Sequence, residues 1–368
     1  MGLTTRALTD KADAVRLGEL VYSAYGLTYH RAWMYDPERV LALHAQGTVA
    51  SILAVDGDSG EIVGHLAALR PYFEVADEPG ASGEASSAET LEIGLSLVHP
   101  DHRDRQVQNA MAVGLRMHLL DTRPDVRGFY MKCVAGHLRS QRSSQRFGGT
   151  ATAIFLGGVP AWVVCDQDPS APGQPLTTIA MHVPGSLGDR ITVCVPERHS
   201  ALLRGIYEAA KLERNLVPVG TATLSPITSE LRTWFDPARR QGVVRVVSAG
   251  GDLVEVVQQR VRWLMKGHME HITVLLPLSG PAAASAVPGL EEAGLFVGGV
   301  LPSLHGADTL VLEALDVADL DTARIQVIEG HSQWLLDQVE SEWRLAAEAR
   351  RFTSGPFRMS AAPLAKTG

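Results

Sequence analysis

The sequence predicts an α/β protein built from two tandem domains. Predicted strands and helices alternate along the chain, and both halves follow the order strand, helix, strand, helix, strand, strand. The length of 368 residues suits two domains, because domains usually hold about 100–200 residues. We place them at residues 1–188 and 189–352, with a flexible polar tail at 353–368. A single wide α/β sheet is the alternative, since only the order of elements repeats.

Elements of the first half are defined by apolar residues at helical or alternating spacing. Asp10 can cap the first helix, and the polar turn Asp56–Gly60 joins two strands into a hairpin. The predicted strands are Leu3–Leu8, Val49–Asp56, Glu61–Leu69, Leu91–Val98, Arg127–Val134, Ala151–Leu156 and Leu176–Val183. The predicted helices are Asp10–Ala24, Pro37–Gln46, Arg105–Leu120 and Leu138–Phe147.

The second half repeats this alternation after residue 189. Its first helix carries Leu202, Leu203, Ile206 and Tyr207 on one face, as a helix packed against a sheet should. The predicted strands are Ile191–Val195, Ala222–Phe235, Gly242–Ser248, His271–Leu276, Leu295–Val300 and Thr309–Leu315. The predicted helices are Glu197–Lys211, Asp252–Lys266, Ala282–Ala293 and Gln333–Arg350.

Charge is distributed unevenly along the chain. The 33 Lys and Arg residues against 41 Asp and Glu residues give a net charge of −8, which argues against a general nucleic-acid binder. Residues 101–150, however, hold nine basic residues against four acidic ones, a local charge of +5. This window predicts either an anion site or a solvated helix face. The N-terminus lacks the pattern of a signal peptide and apolar runs are short, so we expect a cytoplasmic protein without membrane association.

A strand, a short basic turn and a helix follow one another at Leu91–Met111. The strand ends just before Pro100, and the helix opens after Arg103 and Arg105. The first backbone N–H groups of a helix have no partner within it, and together with the helix dipole they favour a bound phosphate. The two arginines would add charge-assisted hydrogen bonds. The segment therefore predicts a phosphate site.

The stretch Val98–Arg103 and the helix after it resemble the strand-end signature of the GNAT acyltransferase superfamily. The resemblance extends over Met131–Gly149 and, in the second half, over Val195–His199 and Gly299–Pro302. It implies two tandem GNAT-like domains, each a mixed, mostly antiparallel twisted sheet flanked by helices, the first catalytic and the second degenerate. It also implies acyl-coenzyme A as co-substrate, with no bound cofactor. The implied donor-binding residues are Val98, Arg103, Arg105, Gln106, Val107, Gln108, Asn109, Ser140 and Gln141.

The chain departs from the family pattern at Gln106 and Gln108, where the family places two small residues, glycine first. Glycine lets the backbone approach a phosphate closely, because it has no Cβ. Glutamine side chains would crowd that cradle. The donor is therefore acyl-CoA bound at an offset, or an acyl group on a carrier protein or a tRNA, whose phosphates the local arginines would also bind. A protein that has lost activity and only binds a ligand or partner is the third interpretation.

Transfer of an acyl group to an amine needs a base for the ammonium, an oxyanion donor and a general acid. The resemblance implies Glu92 as the base, the backbone N–H of Val98 as the oxyanion donor and His137 as an acid or base. Glu92 could instead be an exposed strand carboxylate, and His137 a structural histidine. Ser140 either touches the donor or caps its helix.

Aromatic residues between the first two helices predict a wall for the acceptor, a small-molecule amine. We expect Tyr25, Tyr29, His30 and Tyr35 to form it; the alternative is a cluster that only packs helices. The pairs His99/His102 and His268/His271 have a spacing compatible with metal binding but lack a third ligand, so no metal is expected.

Overall fold

The computed structural model describes residues 2–27, 29, 31–72, 90–103, 106–123, 125–161, 174–185, 190–220, 228–316 and 320–352. Two residues expected in the site, His30 and Arg105, lie outside the described residues, as do the proposed boundary at residue 188 and the tail at 353–368. No helix within the described ranges is both long and apolar enough to span a membrane.

Helices and strands alternate as the sequence predicts, and the α/β class is confirmed. The helices are α1 Lys11–Tyr25, α2 Pro37–Ala45, α3 Val107–Thr122, α4 Arg139–Arg146, α5 Ser200–Ala209, α6 Leu253–Lys266, α7 Pro281–Glu292 and α8 His331–Phe352. The strands of the first half are β1 Leu3–Ala7, β2 Val49–Asp56, β3 Ile62–Leu69, β4 Thr90–Val98, β5 Gly128–Val134, β6 Thr150–Val159 and β7 Leu176–Pro184. Those of the second half are β8 Ile191–Pro196, β9 Arg214–Val219, β10 Glu230–Asp236, β11 Gln241–Ser248, β12 His271–Pro277, β13 Phe296–Leu304 and β14 Ala307–Leu315.

Twelve of the described strands form one continuous sheet, in the order β1-β2-β3-β4-β5-β7-β6-β13-β14-β12-β11-β10. The run β3-β4-β5-β7-β6 of the first half corresponds, strand by strand, to the run β10-β11-β12-β14-β13 of the second half. In each half one neighbouring pair is parallel, β4 with β5 and β11 with β12. The single wide sheet that the sequence offered as the alternative is therefore present, with a repeated order of strands within it; the division into two domains stays a prediction.

The halves join where β6 lies beside β13, through the pair Ala153–Gly299. Gly299 has a φ of +130°, and a Cβ on it would collide with the backbone of Thr152 and Ala153. Glycine is therefore required for the two strands to approach each other here. We call this junction the seam.

Side chains and a common core reinforce the seam. The Thr90 hydroxyl donates to Pro302 O at 2.7 Å across the halves. One apolar cluster contains Ile154 and Met181 of the first half together with Val274 and Leu312 of the second. The halves therefore share buried surface as well as a sheet.

Capping side chains account for the starts of α1 and α2, and one strand was not predicted. Asp10 accepts from Asp13 N at 2.9 Å at the start of α1, and Asp36 accepts from Glu38 N at 3.0 Å at the start of α2. Strand β10 begins at Glu230, two residues into the described segment; the strand was expected from Ala222, which lies outside the described residues. Strand β9, which carries Pro218 and pairs in parallel with β8, was not predicted.

Candidate active site

Strands β4 and β5 separate within the sheet. Their ladder runs from Thr90–Gly128 to Glu92–Tyr130 and ends there, although β4 continues to Val98 and β5 to Val134, both described throughout. The backbone of β4 also departs from regular geometry, because Leu95 has a φ of +54° and the register with β3 shifts opposite it. The result is a bulged strand facing an opening in the sheet.

His65 on β3 holds this bulge in place. Its Nδ1 is 2.8 Å from Leu95 O, and its Nε2 is 2.9 Å from the Ser51 hydroxyl. Burial lowers the pKa of His65 to about 4, so the ring is neutral at pH 7. A neutral imidazole has one N–H donor. Because Leu95 O can only accept, that N–H lies on Nδ1, and the hydroxyl donates to Nε2.

The backbone of β4 directs the Val98 N–H toward the opening. His99 N donates to Val63 O of β3 at 2.9 Å. Successive N–H groups of a strand point to opposite edges, so the preceding N–H, of Val98, points away from β3 toward the side where β5 has separated. This position suits the expected oxyanion donor, whose role remains a prediction.

Helix α3 begins at the same end of β4. Gln106, the residue before it, has a φ of +55° and a ψ of 21°, the left-handed backbone that glycine adopts most readily. The first hydrogen bond of the helix is Ala110 N to Gln106 O, at 3.2 Å, so the N–H groups of residues 107–109 precede the helical ladder. Among the expected donor residues, Arg103, Gln106, Gln108 and Asn109 are exposed. Val107 is buried instead and packs near Gly64, which leaves only its backbone N–H for a donor.

Two expectations for α4, the donor contact of Gln141 and the capping role of Ser140, need correction. Gln141 is fully buried; its amide donates to Gln326 O at 2.7 Å and accepts from Ile328 N at 3.2 Å, so it ties the halves together and is not open to a donor. Ser140 is the second residue of α4 and does not cap it, because the residue before the helix is Leu138. His137 Nδ1 accepts from Arg139 N at 3.3 Å, which favours the structural interpretation of this histidine.

A cavity of about 260 Å³ opens beside Glu92, between the halves. The Tyr130 hydroxyl donates to Glu92 Oε2 at 2.9 Å from the last pair of the β4–β5 ladder. Lys132 donates to the Tyr72 hydroxyl at 2.9 Å, and its ammonium lies 4.7 Å from the centre of the Phe155 ring. Glu92 is half-buried at the wall of this cavity, so the expected base faces an enclosed space.

One of the expected tyrosines reaches the cavity. Tyr29 lines it, and burial raises the pKa of its hydroxyl. Tyr25 is exposed, with its ring centre 4.9 Å from that of Tyr29. The Tyr35 hydroxyl donates to Gly26 O at 2.7 Å and accepts from Tyr29 N at 3.3 Å, so it supports the loop that carries Tyr29.

The opposite wall belongs to the second half and was missed. It consists of Trp234, Arg239, Gln241, Gly242, Val243, His271 and Thr273. These residues lie near Glu92 because the seam joins the two halves, and no local sequence pattern predicts the seam. One feature of the sequence could have indicated this wall. The polar residues Gln241 and His271 stand at the starts of two apolar strands, and in the structure they pair side by side. His271 Nε2 lies 2.8 Å from Oε2 of the buried Glu313.

Potential metal ligands come together elsewhere. Among the described residues, His199, Glu291 and Glu342 bring ligand atoms within 4.8 Å of one another. Arg198 forms ion pairs with both carboxylates, at 2.8 Å for Glu342, and so offsets part of the negative charge of the cluster. A more open cavity of about 480 Å³, lined in part by His99 and His102, lies between α1 and the end of β4.

No family model and no curated protein matches the chain. Solved structures that it resembles include Arabidopsis thaliana NAA60 in complex with acetyl-CoA (16% identity, TM-score 0.35), covering 50% of this chain and 98% of that one. Vibrio cholerae spermidine/spermine N-acetyltransferase SpeG shows 10% identity and a TM-score of 0.35, over 50% and 92% of the two chains. The ribosomal L7/L12 α-N-protein acetyltransferase RimL shows 17% and 0.34, over 50% and 92%. These solved structures are GNAT-type N-acetyltransferases, and each matches half of this chain.

Proposed function

We propose that the protein is an N-acyltransferase that moves an acyl group from acyl-CoA to a small-molecule amine. The observation that carries this proposal is the opening between β4 and β5, with Glu92 at its closed end and α3 beginning at its far end. An extended thioester donor fits such a slot: its phosphates at the helix N-terminus and its carbonyl beside the bulged strand.

The conformation of Gln106 supports acyl-CoA as the donor. Its left-handed backbone is the one that glycine would adopt at the family's first glycine position. The loop therefore keeps a glycine-like path with a different side chain. The exposed Arg103 beside it supplies positive charge.

The chemistry follows from the positions of three groups. Glu92 takes a proton from the acceptor ammonium, and the free amine attacks the thioester carbonyl directly. The Val98 N–H stabilises the oxyanion as the C–N bond forms. The C–S bond then breaks and the amide and the thiol leave. No covalent enzyme intermediate is needed, so Cys133 is not required; burial raises the pKa of its thiol to about 12.

The acceptor is a small molecule because the cavity is small. Its 260 Å³ lies below the roughly 300–1,000 Å³ of pockets for drug-sized ligands. Aromatic side chains from both halves, Tyr29, Tyr72, Phe155 and Trp234, surround the space in front of Glu92.

Calorimetric titration with acetyl-CoA tests the donor. We expect saturable binding in the micromolar range, and transfer to a panel of small amines, measured by release of free thiol. Absence of heat at millimolar acetyl-CoA would contradict acyl-CoA as the donor. Binding of aminoacyl-tRNA that weakens steeply with salt, and with Arg139 and Arg142 changed to Ala, would then favour the tRNA donor, because both arginines are exposed on α4.

Substitution of the expected base distinguishes an enzyme from a binding protein. Glu92→Gln keeps the side-chain volume and an acceptor for the Tyr130 hydroxyl but removes the proton acceptor. We expect acetyl-CoA binding to stay within twofold and transfer to fall by about 10²-fold or more. Equal rates for the variant and the parent would contradict Glu92 as the base. Donor binding without any transfer by the parent would favour the ligand-binding protein.

A further inference from the structure

A histidine–carboxylate pair from the second half faces the same cavity as Glu92. His271 lies on β12 and Glu313 on β14, and Nε2 is 2.8 Å from Oε2. The Glu313 side chain is fully inaccessible, and Leu156 N also donates to its Oε2 at 3.0 Å. His271 is itself buried to 6% exposure, yet it is part of the cavity lining.

Burial of the Glu313 carboxylate is energetically unfavourable. Burial raises the pKa of Glu313, and His271 is the largest influence that opposes the rise. Glu313 Oε1 has no hydrogen-bond partner among the described residues, which is unfavourable for a buried oxygen. A Cβ at Gly298 would collide with that same oxygen, so a glycine is needed to make room for it. The two groups that hold the carboxylate here are His271 Nε2 and the backbone N–H of Leu156.

The pair leaves one imidazole nitrogen for a ligand. When Nε2–H donates to Glu313, Nδ1 carries a lone pair and accepts a proton, and the carboxylate stabilises the imidazolium that forms. The arrangement of a buried carboxylate behind a histidine is the one by which a general base is oriented.

We propose that His271 is a second proton acceptor for the transfer reaction and that Glu313 is its positioning residue; this rests on the function proposed above. An acceptor ammonium loses two protons on becoming an amide. Glu92 takes the first before attack. His271 Nδ1 takes the second from the nitrogen of the tetrahedral intermediate, the N–H electron pair stays on nitrogen, the C–S bond breaks, and the thiolate leaves and is protonated by water. The second half thereby completes the active site.

Other titratable groups surround His271. Those that share its cavity are Tyr29, Arg31, Tyr72, Glu92, Lys132 and Arg239. An adjoining small cavity behind it is lined by Arg239, Arg240 and Glu270. Glu313 is the group in direct contact.

The variant His271→Asn tests the assignment, with His268→Asn as the matched control. His268 lies three residues earlier and is exposed, and its φ of +63° is one that Asn tolerates. We expect His271→Asn to lower kcat by about 10²-fold, with the KM for the acceptor within threefold, and to remove one ionisation from the acidic side of the pH–rate profile. His268→Asn should match the parent. An active parent whose kcat and pH profile survive in His271→Asn overturns this assignment while leaving the proposed function intact.

Two further measurements test the proposal even if the His271→Asn variant fails to fold. Glu313→Gln should shift the pH dependence of kcat without changing acceptor KM, because it alters the histidine and not the acceptor contacts. Carbethoxylation of the unsubstituted protein with diethyl pyrocarbonate needs no variant. Loss of activity should follow labelling of His271, read by peptide mass spectrometry. Activity that survives complete labelling of His271 overturns the proposal, and a parent that transfers no acetyl group to any amine contradicts the proposed function and this assignment with it.

Discussion

Gln106 adopts a left-handed backbone, with a φ of +55°, directly before the first residue of α3. Such a conformation costs a residue with a Cβ about 1–2 kcal/mol relative to its right-handed form. Only the position of the family's glycine hinted at this conformation. The comparable left-handed Leu95 in β4 could not be predicted, because an isolated leucine in an apolar strand carries no such signal.

Gln106→Gly should stabilise the loop and tighten donor binding. Glycine removes the left-handed strain and clears the space beside the phosphates, so we expect an unchanged or higher melting temperature and a several-fold lower Kd for acetyl-CoA, measured by calorimetry. Gln108→Gly is the control: residue 108 lies inside α3, where glycine costs about 1 kcal/mol relative to alanine. Equal destabilisation by both changes would contradict this account.

Elements with strong local patterns could be predicted, and those defined by partners could not. The hairpin of β2 and β3 and the capped helices α1 and α2 follow from turn and cap residues. Strand β9 was missed because Pro218 interrupts a short segment, and proline argues against a strand except at an edge. The separation of β4 from β5 was not predicted either; the one residue of β4 typical of a bulge is Gly94, which directly precedes Leu95.

The close approach of strands β6 and β13 at the seam gives a testable prediction. Gly299→Ala places a Cβ against the backbone of β6 at a φ of +130°, so we expect a loss of several degrees in melting temperature. Gly280→Ala is the control, because its φ is −147° and a Cβ there meets nothing within 4 Å. Thermal denaturation followed by circular dichroism measures both. A Gly299→Ala protein as stable as Gly280→Ala would show that β6 and β13 do not need this close approach.

At the scale of the whole molecule, half of the lining of the cavity beside Glu92 could not be predicted from the sequence. The resemblance implied Glu92 as a site residue, whereas Trp234, Arg239 and His271 come beside it only because the second half continues the sheet. The repeat of element order was visible along the chain. The way the repeats join was not, because the strands that form the seam, β6 and β13, lie far apart in the sequence.

Buried neutral histidines predict how the molecule responds to acid. Burial lowers the pKa of His65 to about 4 and that of His182 to about 3, from a usual value of 6.5. Below pH 6.5 these histidines are therefore protonated in the unfolded chain but stay neutral in the folded chain. The free energy of unfolding falls as the pH falls. Each histidine removes about 1.4 kcal/mol per pH unit down to its folded pKa.

Denaturant unfolding at pH 7.0 and 5.0 measures this loss. Both His182 nitrogens are buried without a partner among the described residues, so His182→Leu should reduce the loss. Tyr22, an exposed residue, provides a neutral reference in Tyr22→Phe. An equal loss of stability in His182→Leu and the parent would contradict the role of His182.

The parallel strand pairs of the two halves differ in the length of their ladders. The ladder of β11 with β12 spans five residue pairs, from Gln241–His271 to Arg245–Leu275, whereas that of β4 with β5 spans three. The ladder of the second half thus runs two residue pairs further before its strands separate. If the proposed function holds, we expect one donor site per chain, and a titration with acetyl-CoA should reach its equivalence point at one.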